Sequence, residues 1–161
     1  MPLLSPALVS RPVHHRRQPP QLRRTNFNRN SSLISCWKLR CQPTWPRPTG
    51  GRLIVPISDG TFTGPRLKGT IVLPSGDWVV QRPDGSRLLD VRILLQTDDG
   101  QKIYTSWRGI AYTPPGGALW ARIVPMFETA SAKNAWLNNV VAVGVYRPDL
   151  GKIAYRVYRI L

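Results

Sequence analysis

Two carboxylates in the second half of the chain, Asp90 and Glu128, stand on predicted strands close to arginines. A carboxylate buried beside an arginine is either a structural ion pair or one half of an acid/base pair that transfers protons. Both interpretations stay open here, with Asp90 and Glu128 as candidate catalytic residues and Arg92 or Arg108 stabilising an anion. A third carboxylate outside turns, Asp77, is explained by hydrogen bonds to local backbone amides.

Aromatic and arginine side chains accompany these carboxylates on the same predicted strand faces. Solvent-facing strand surfaces usually carry Lys, Glu, Thr and Ser, whereas aromatic walls with a few convergent polar groups are typical of small-molecule sites. The planar guanidinium suits ligands that carry a carboxylate or an enolate-like oxygen. The candidate ligand-binding residues are Trp78, Arg92, Tyr104, Arg108, Trp120, Arg122, Trp136 and Asn138.

The elements that would position these residues are short strands. From Gly51 onward, β-branched and aromatic runs alternate with turn residues every eight to twelve residues or so, which is typical of an antiparallel barrel or sandwich. Pro83-Asp84-Gly85 and Asp98-Asp99-Gly100 predict two hairpins. The predicted strands are 51–57, 67–73, 77–82, 87–96, 101–110, 118–127, 139–147 and 152–160, with a weak extra strand at 33–41 and a helical turn at 129–137. This pattern favours an all-β fold, a single antiparallel β-barrel of about eight strands.

Side chains alternate across a strand, so each predicted strand offers two faces. In strand 87–96 one face is apolar from Leu89 onward, and the other, which we call the mixed face, carries Asp90 and Arg92. Either the apolar face fills the barrel and the mixed face meets water, or the mixed face lines an internal pocket. In the second case the extra strand, the N-terminal tail or another subunit of a homo-oligomer would cover the apolar face. The site described above requires the second case.

The net charge of +15 is concentrated near the N-terminus, because residues 1–58 hold ten of the 23 basic residues and none of the eight acidic ones. Residues 1–45 are rich in Pro and Arg and lack periodicity, so they are expected to be dispensable for folding. Three explanations remain open: a disordered basic arm, a mis-assigned start codon or an organellar targeting peptide. The barrel domain is predicted at 46–161. Any nucleic-acid binding is expected to be weak, non-specific and confined to the arm.

The sequence lacks the motifs of several kinds of metal, nucleotide and catalytic site. Both histidines, His14 and His15, lie in the arm, and Cys36 and Cys41 are too few and too closely spaced for a zinc site, so they are interpreted as reduced thiols of a cytoplasmic protein. The sequence contains no phosphate loop, dinucleotide fingerprint or nucleophile elbow. No apolar run is long enough to predict a membrane-spanning helix. We therefore expect no metal, no cofactor and no membrane partner.

A series of short motifs resembles one protein family. The motifs include Gly60-Thr61-Phe62, Asp77-Trp78, Arg82-Pro83-Asp84-Gly85, Leu89-Asp90-Val91-Arg92, Arg108-Gly109, Phe127-Glu128-Thr129 and Trp136-Leu137-Asn138. With this spacing, residues 46–161 resemble the DUF3237 family, also called UPF0311. The resemblance implies a calycin-like antiparallel β-barrel but no settled reaction.

The sequence thus predicts a pocket for an apolar or aromatic small molecule that bears an anionic or enolisable group. Three functions remain open. The first is a cofactor-free lyase, isomerase or cyclase. The second is a non-catalytic binding protein of lipocalin type, and the third is a nucleic-acid-associated protein that uses the arm.

Overall fold

In the described part of the chain, nine antiparallel strands form one sheet, which the first strand closes by pairing with two other strands. The computed structural model describes residues 31–39, 45–47 and 50–160. Its strands are β1 Ser31–Leu39, β2 Trp45–Arg47, β3 Gly50–Thr63, β4 Lys68–Gln81, β5 Arg87–Thr97, β6 Lys102–Tyr112, β7 Trp120–Glu128, β8 Ala142–Tyr146 and β9 Ile153–Arg159. Two 3₁₀ helices, Ala132–Asn139 and Pro148–Leu150, precede β8 and β9. None of the helices described here is long and apolar enough to cross a membrane.

Strand β1 closes the sheet into a barrel. The sheet order is β1-β9-β8-β7-β6-β5-β4-β3-β2, and β1 pairs additionally with β3. Ile34, for example, lies opposite Phe62 of β3 on one side and Tyr155 of β9 on the other. The prediction of a single antiparallel β-barrel is confirmed. The predicted separation of strands 67–73 and 77–82 is wrong, since both belong to the continuous strand β4, and β2 was not predicted.

The barrel begins earlier than the predicted boundary at residue 46. The weak extra strand predicted at 33–41 corresponds to β1, which is an integral part of the sheet, and Ile34 is only 3% exposed. Backbone hydrogen bonding to two neighbours holds this strand although its own composition is a weak strand signal. The predictions for residues 1–30, including disorder, a mis-assigned start, targeting and nucleic-acid binding, lie outside the described residues.

The two predicted hairpin turns form where Asp and Gly allow them. In the β4–β5 turn the Arg82 N–H donates to the Ser86 carbonyl, and Asp84 Oδ1 accepts from the Ser86 N–H at 2.9 Å. In the β5–β6 turn Gly100 has a φ of 82° and donates to the Thr97 carbonyl at 2.8 Å. The hydrogen bond to the Ser86 N–H accounts for Asp84 at its position in the turn.

The apolar face of the strands fills the barrel, and the mixed face meets water. On β5, Leu89, Val91, Ile93 and Leu95 are all buried, whereas Arg92 between them is exposed. The interpretation in which the mixed face lines an internal pocket is therefore wrong. Because β1 closes the barrel, the apolar face is covered by the barrel itself, and turning several arginines inward would remove their hydration without enough carboxylates to pair them. A homo-oligomer stays a prediction.

A layer of fully buried side chains crosses the middle of the barrel. Ile93 and Thr105 are 0% exposed and Ile123 is 1% exposed. The Thr105 hydroxyl donates to the Met126 carbonyl at 2.9 Å, so its burial leaves no unpaired donor. Ile123 lies opposite Gly109 on β6 and Gly144 on β8. The two glycines leave room for its side chain, because a Cβ atom at Gly144 would lie 2.7 Å from Ile123 Cδ1.

Replacing Arg92 tests the orientation of the mixed face. The Arg92 side chain is 47% exposed and its Nη1 lies 3.4 Å from Asp90 Oδ1. An exposed ion pair contributes little, so Arg92→Ala should lower the free energy of unfolding by about 0–1 kcal/mol in chemical denaturation, and Arg92→Lys by still less. A loss of roughly 3–5 kcal/mol would indicate a buried pair and contradict the orientation.

A double-mutant cycle tests the packing around Ile123. Gly144→Ala should destabilise the protein by about 1–3 kcal/mol through overpacking, and by less in an Ile123→Ala background, which lacks both the Cγ1 and the Cδ1 atom that the added Cβ would meet. Gly109→Ala is the control, since its added Cβ meets the Arg122 backbone carbonyl as well as Ile123 Cγ2, so most of its cost should persist in both backgrounds. Equal costs for Gly144→Ala in the two backgrounds, measured by chemical denaturation, would refute this packing.

Candidate functional site

Two cavities lie on opposite sides of the buried middle layer. Along β5, Val91 lines one cavity, Leu95 lines the other, and Ile93 between them lines neither. Along β6, Trp107 lines the first and Ile103 the second. We name them the Asp77 cavity and the Arg66 cavity after a polar residue in the lining of each.

The Asp77 cavity has a volume of about 190 Å³. Most of its lining is aliphatic, contributed by β3, β4, β5, β6, β7 and β9. The side chains with polar atoms in its lining are Asp77, Arg87, Trp107, Tyr146 and Tyr155. A mainly apolar cavity with a few polar groups is the usual form of a small-molecule site.

Asp77 faces this cavity because of its register on β4. It lies opposite Val55 of β3 and Val91 of β5, which are both buried, and Val79 two residues later is buried as well. Asp77 Oδ1 accepts a hydrogen bond from the backbone N–H of Asp90 at 3.1 Å. The carboxyl group is therefore held in place on an otherwise apolar face.

Burial raises the pKa of Asp77 to about 6, because the apolar surroundings disfavour the charged form. The hydrogen bond from the Asp90 N–H lowers the pKa, and the negative charge of the Asp90 carboxylate raises it further by a smaller amount. A carboxyl group with a pKa near neutrality can both accept and return a proton at physiological pH. Such a group in a cavity is a candidate for acid/base chemistry.

Trp107, which also lines this cavity, carries a buried hydrogen-bond donor without an acceptor among the described residues. The residue is 3% exposed, and its indole Nε1 is buried without an acceptor among the described residues. The centroid of its ring lies 6.0 Å from the ring centroid of Tyr155, and the ring centroids of Tyr155 and Tyr146 are 5.8 Å apart. A buried N–H without an acceptor is costly, and an oxygen atom of a ligand in the cavity would satisfy it.

The structure brings four of the sequence-predicted site residues together, but on the outside of the barrel. Asp90, Arg92, Tyr104 and Arg108 line an outer groove of about 430 Å³ on β5, β6 and β7. The Arg92 guanidinium lies 4.9 Å from the ring centroid of Trp78. A catalytic role for Asp90 and ligand binding by this outer groove stay predictions.

The other predicted site residues are separate from this groove. Trp120 and Arg122 are exposed on β7, with the Arg122 guanidinium 5.8 Å from the Trp120 ring centroid, and Glu128 is exposed at the end of the same strand. Asn138 joins two parts of a loop, since its side chain accepts from the Thr129 N–H at 2.8 Å and donates to the Thr129 carbonyl at 2.9 Å. The predicted roles of these residues also stay predictions.

Trp136 is the predicted ligand-binding residue that lines an internal cavity, the Arg66 cavity. Sequence reasoning missed Asp77 and Trp107 as site residues. The signal for Asp77 was its position two residues before Val79, which places a carboxylate on the apolar side of the strand. No sequence signal indicates that the Trp107 N–H lacks an acceptor.

Within the described residues, no three His, Cys, Asp or Glu side chains gather closely enough to hold a metal ion.

Two sequence relatives are similar over much of the chain. A UPF0311 protein of Clostridium acetobutylicum is 34% identical over 108 residues, covering 58% of this chain and 68% of the relative. The hydroalkoxylation enzyme phnH of Penicillium herquei is 34% identical over 104 residues, covering 63% of this chain and 61% of the enzyme. The chain thus spans less than two thirds of the length of the enzyme.

A solved structure shares the fold. A β-barrel-like protein of Acinetobacter baumannii superposes with a TM-score of 0.69 at 32% identity, over 80% of this chain and 91% of that protein. The model of a family described as a protein of unknown function, DUF3237, matches residues 33–160, so the match includes most of β1. The resemblance read from the motifs is confirmed: the chain belongs to the DUF3237 family.

Proposed function

We propose that this protein catalyses an acid/base isomerisation or cyclisation of an apolar or aromatic molecule with an enolisable or anionic group. The proposed site is the Asp77 cavity rather than the outer groove. The observation that carries the proposal is the Asp77 carboxyl group, whose pKa is raised to about 6 on the wall of an apolar cavity. Burying an ionisable group there costs stability, which is typical of catalytic carboxyls.

Asp77 serves as the base in this proposal. Its carboxylate accepts a proton from the substrate, and the resulting carboxylic acid returns a proton to another atom of the same molecule. The hydrogen bond from the Asp90 N–H occupies one carboxylate oxygen and orients the group, which leaves the second oxygen for the substrate.

Trp107 supplies the complementary donor. When a carbonyl next to the reacting carbon becomes an enolate, negative charge develops on its oxygen. In this proposal the side chain of Trp107, which lines the same cavity, brings its Nε1–H to that oxygen, in surroundings where a hydrogen bond is stronger than in water. The rings of Tyr146 and Tyr155 offer an aromatic wall for the rest of the substrate.

The name of the Penicillium relative indicates one reaction of this class. Hydroalkoxylation adds the O–H bond of an alcohol or phenol across a carbon–carbon double bond. The hydroxyl oxygen bonds to one alkene carbon as the π bond breaks, and its proton leaves to the base and returns to the other carbon. The intramolecular form is a net isomerisation, which requires no oxidant or co-reactant. A carboxyl group with a raised pKa can accept the hydroxyl proton as a carboxylate and return it to the carbon as a carboxylic acid.

The size of the cavity supports an aromatic substrate. An engineered apolar cavity of roughly 150 Å³ binds benzene, and the Asp77 cavity is larger at about 190 Å³. One aromatic ring therefore fits inside, with Arg87 in the lining to attract an anionic substituent.

Non-catalytic binding of the same class of ligand is the second candidate. It is favoured by the lining, in which aliphatic side chains greatly outnumber polar ones. Turnover by the wild-type protein distinguishes the two functions.

A hydroxyaryl enone provides the test of catalysis. With 2-hydroxyphenyl vinyl ketone, a single-ring enone that isomerises to chroman-4-one by intramolecular addition, kcat/KM should rise with pH through about 6 and then level off as Asp77 ionises. Asp77→Asn should lower kcat about 100-fold or more and remove this pH dependence, because the amide cannot accept the proton. Trp107→Phe should lower kcat about tenfold or more while keeping the aromatic packing. The rate is measured by the loss of enone absorbance.

Asp149→Asn is the matched control for this test, since Asp149 is exposed and paired with Arg147 outside the cavity. It should leave kcat and its pH profile unchanged. Full activity of Asp77→Asn would reject Asp77 as the base. Binding of the enone to the wild type without conversion would favour the non-catalytic function.

The stability of the protein should also report the Asp77 pKa, whatever the substrate. The folded-state pKa is about 6 against an ordinary value of 3.8, so folding favours the neutral carboxyl. The stabilising contribution of the neutral form is present below pH 3.8 and is lost as the pH rises through about 6. Above pH 6, Asp77→Asn should therefore be more stable than the wild type by roughly 3 kcal/mol relative to their difference at low pH. A constant difference in denaturation free energy across this range would contradict the raised pKa.

A further inference from the structure

We propose that the Arg66 cavity is a second ligand site, which binds a small amphipathic carboxylate of the alkanoate class. This cavity has a volume of about 100 Å³. Its apolar lining includes Phe62, Leu95, Ile103 and Phe127, and its lining also contains two arginines, Arg66 and Arg159.

The site is separate from the Asp77 cavity. The two cavities have no lining residue in common, and the fully buried Ile93, Thr105 and Ile123 belong to neither lining. A well-packed layer of this kind has no gap for a ligand chain to pass. A molecule in the Arg66 cavity must therefore enter from its own end of the barrel.

The two arginines provide the charge for an anionic head group. Both are exposed, while the aliphatic side chains behind them are buried. The Arg66 guanidinium lies 4.2 Å from the ring centroid of Trp136, a cation–π contact that holds the charge beside the cavity. An alkanoate would place its alkyl chain among the apolar side chains inside the cavity and its carboxylate beside the cations at the solvent side.

Two carboxylates near this end, Asp98 and Asp99, are paired with lysines. Asp98 lies 3.0 Å from Lys68 Nζ and Asp99 lies 2.6 Å from Lys133 Nζ. Within the described part of the chain, no carboxylate lies within 4.0 Å of Arg66 or Arg159. These two guanidiniums therefore remain available for an anion, and their planar forks suit a carboxylate.

The volume limits the apolar part of the ligand. The cavity is smaller than the roughly 150 Å³ that accommodates benzene, so a flexible or branched alkyl chain fits better than a fused ring system. Hexanoate is the probe we choose, with hexanol as its uncharged analogue of the same chain length. A site of the proposed kind distinguishes the two by the head group.

Methyl-labelled NMR of the full chain identifies which cavity responds. Hexanoate should shift the methyl signals of Leu95, Ile103 and Leu137, which line the Arg66 cavity, and leave those of Val79 and Leu89 in the Asp77 cavity unchanged. The double variant Arg66→Gln/Arg159→Gln should bind hexanoate about tenfold or more weakly, while its weaker binding of hexanol stays the same. Both positions are exposed, so the variant is expected to fold.

Arg82→Gln is the matched control, since it removes an exposed arginine from the β4–β5 turn and should leave the affinity for hexanoate unchanged. Absence of hexanoate binding at millimolar concentration would overturn the proposal. Shifts confined to the Asp77 cavity, unchanged affinity in the double variant, or equal affinity for hexanol would each overturn it as well.

Discussion

The pairing of β1 with both β3 and β9 is the constraint on which the rest of the structure depends. Without β1 the sheet would have two open edges, and the side chains of its apolar face would be exposed to solvent. With β1 in place the backbone groups of those edges are paired, and one face of every strand becomes interior. Both cavities and the outward orientation of the mixed face follow from this closure.

Closure of the barrel also creates the chemistry of Asp77. The residue occupies an interior position on β4, so the carboxyl group loses part of its hydration when the barrel forms. The same burial that raises its pKa to about 6 strengthens hydrogen bonds to a ligand in the cavity. The proposed base and the proposed Trp107 donor are therefore both consequences of one apolar interior.

Close packing at the middle of the barrel explains why two small cavities occur instead of one long lumen. Ile123 occupies the space that Gly109 and Gly144 leave on the neighbouring strands, and Ile93 and Thr105 belong to the same layer. This arrangement separates a cavity with a carboxyl group from a cavity with two arginines that have no carboxylate partner among the described residues. The two ends of the barrel thus differ in the chemistry that they offer to ligands.

Local sequence determined the strands, the hairpin turns and the sets of side chains that share a face, because these depend on alternation and on turn residues such as Asp84 and Gly85. It also determined the family, through motifs between residues 60 and 138. The tertiary structure decided which face is interior, since β1 closes the barrel through pairing with strands distant in sequence. For that reason Asp90 and Arg92 could be recognised as sharing a face while the side that this face meets stayed open, whereas Asp77 and Trp107 became candidates for catalysis only once their burial was known.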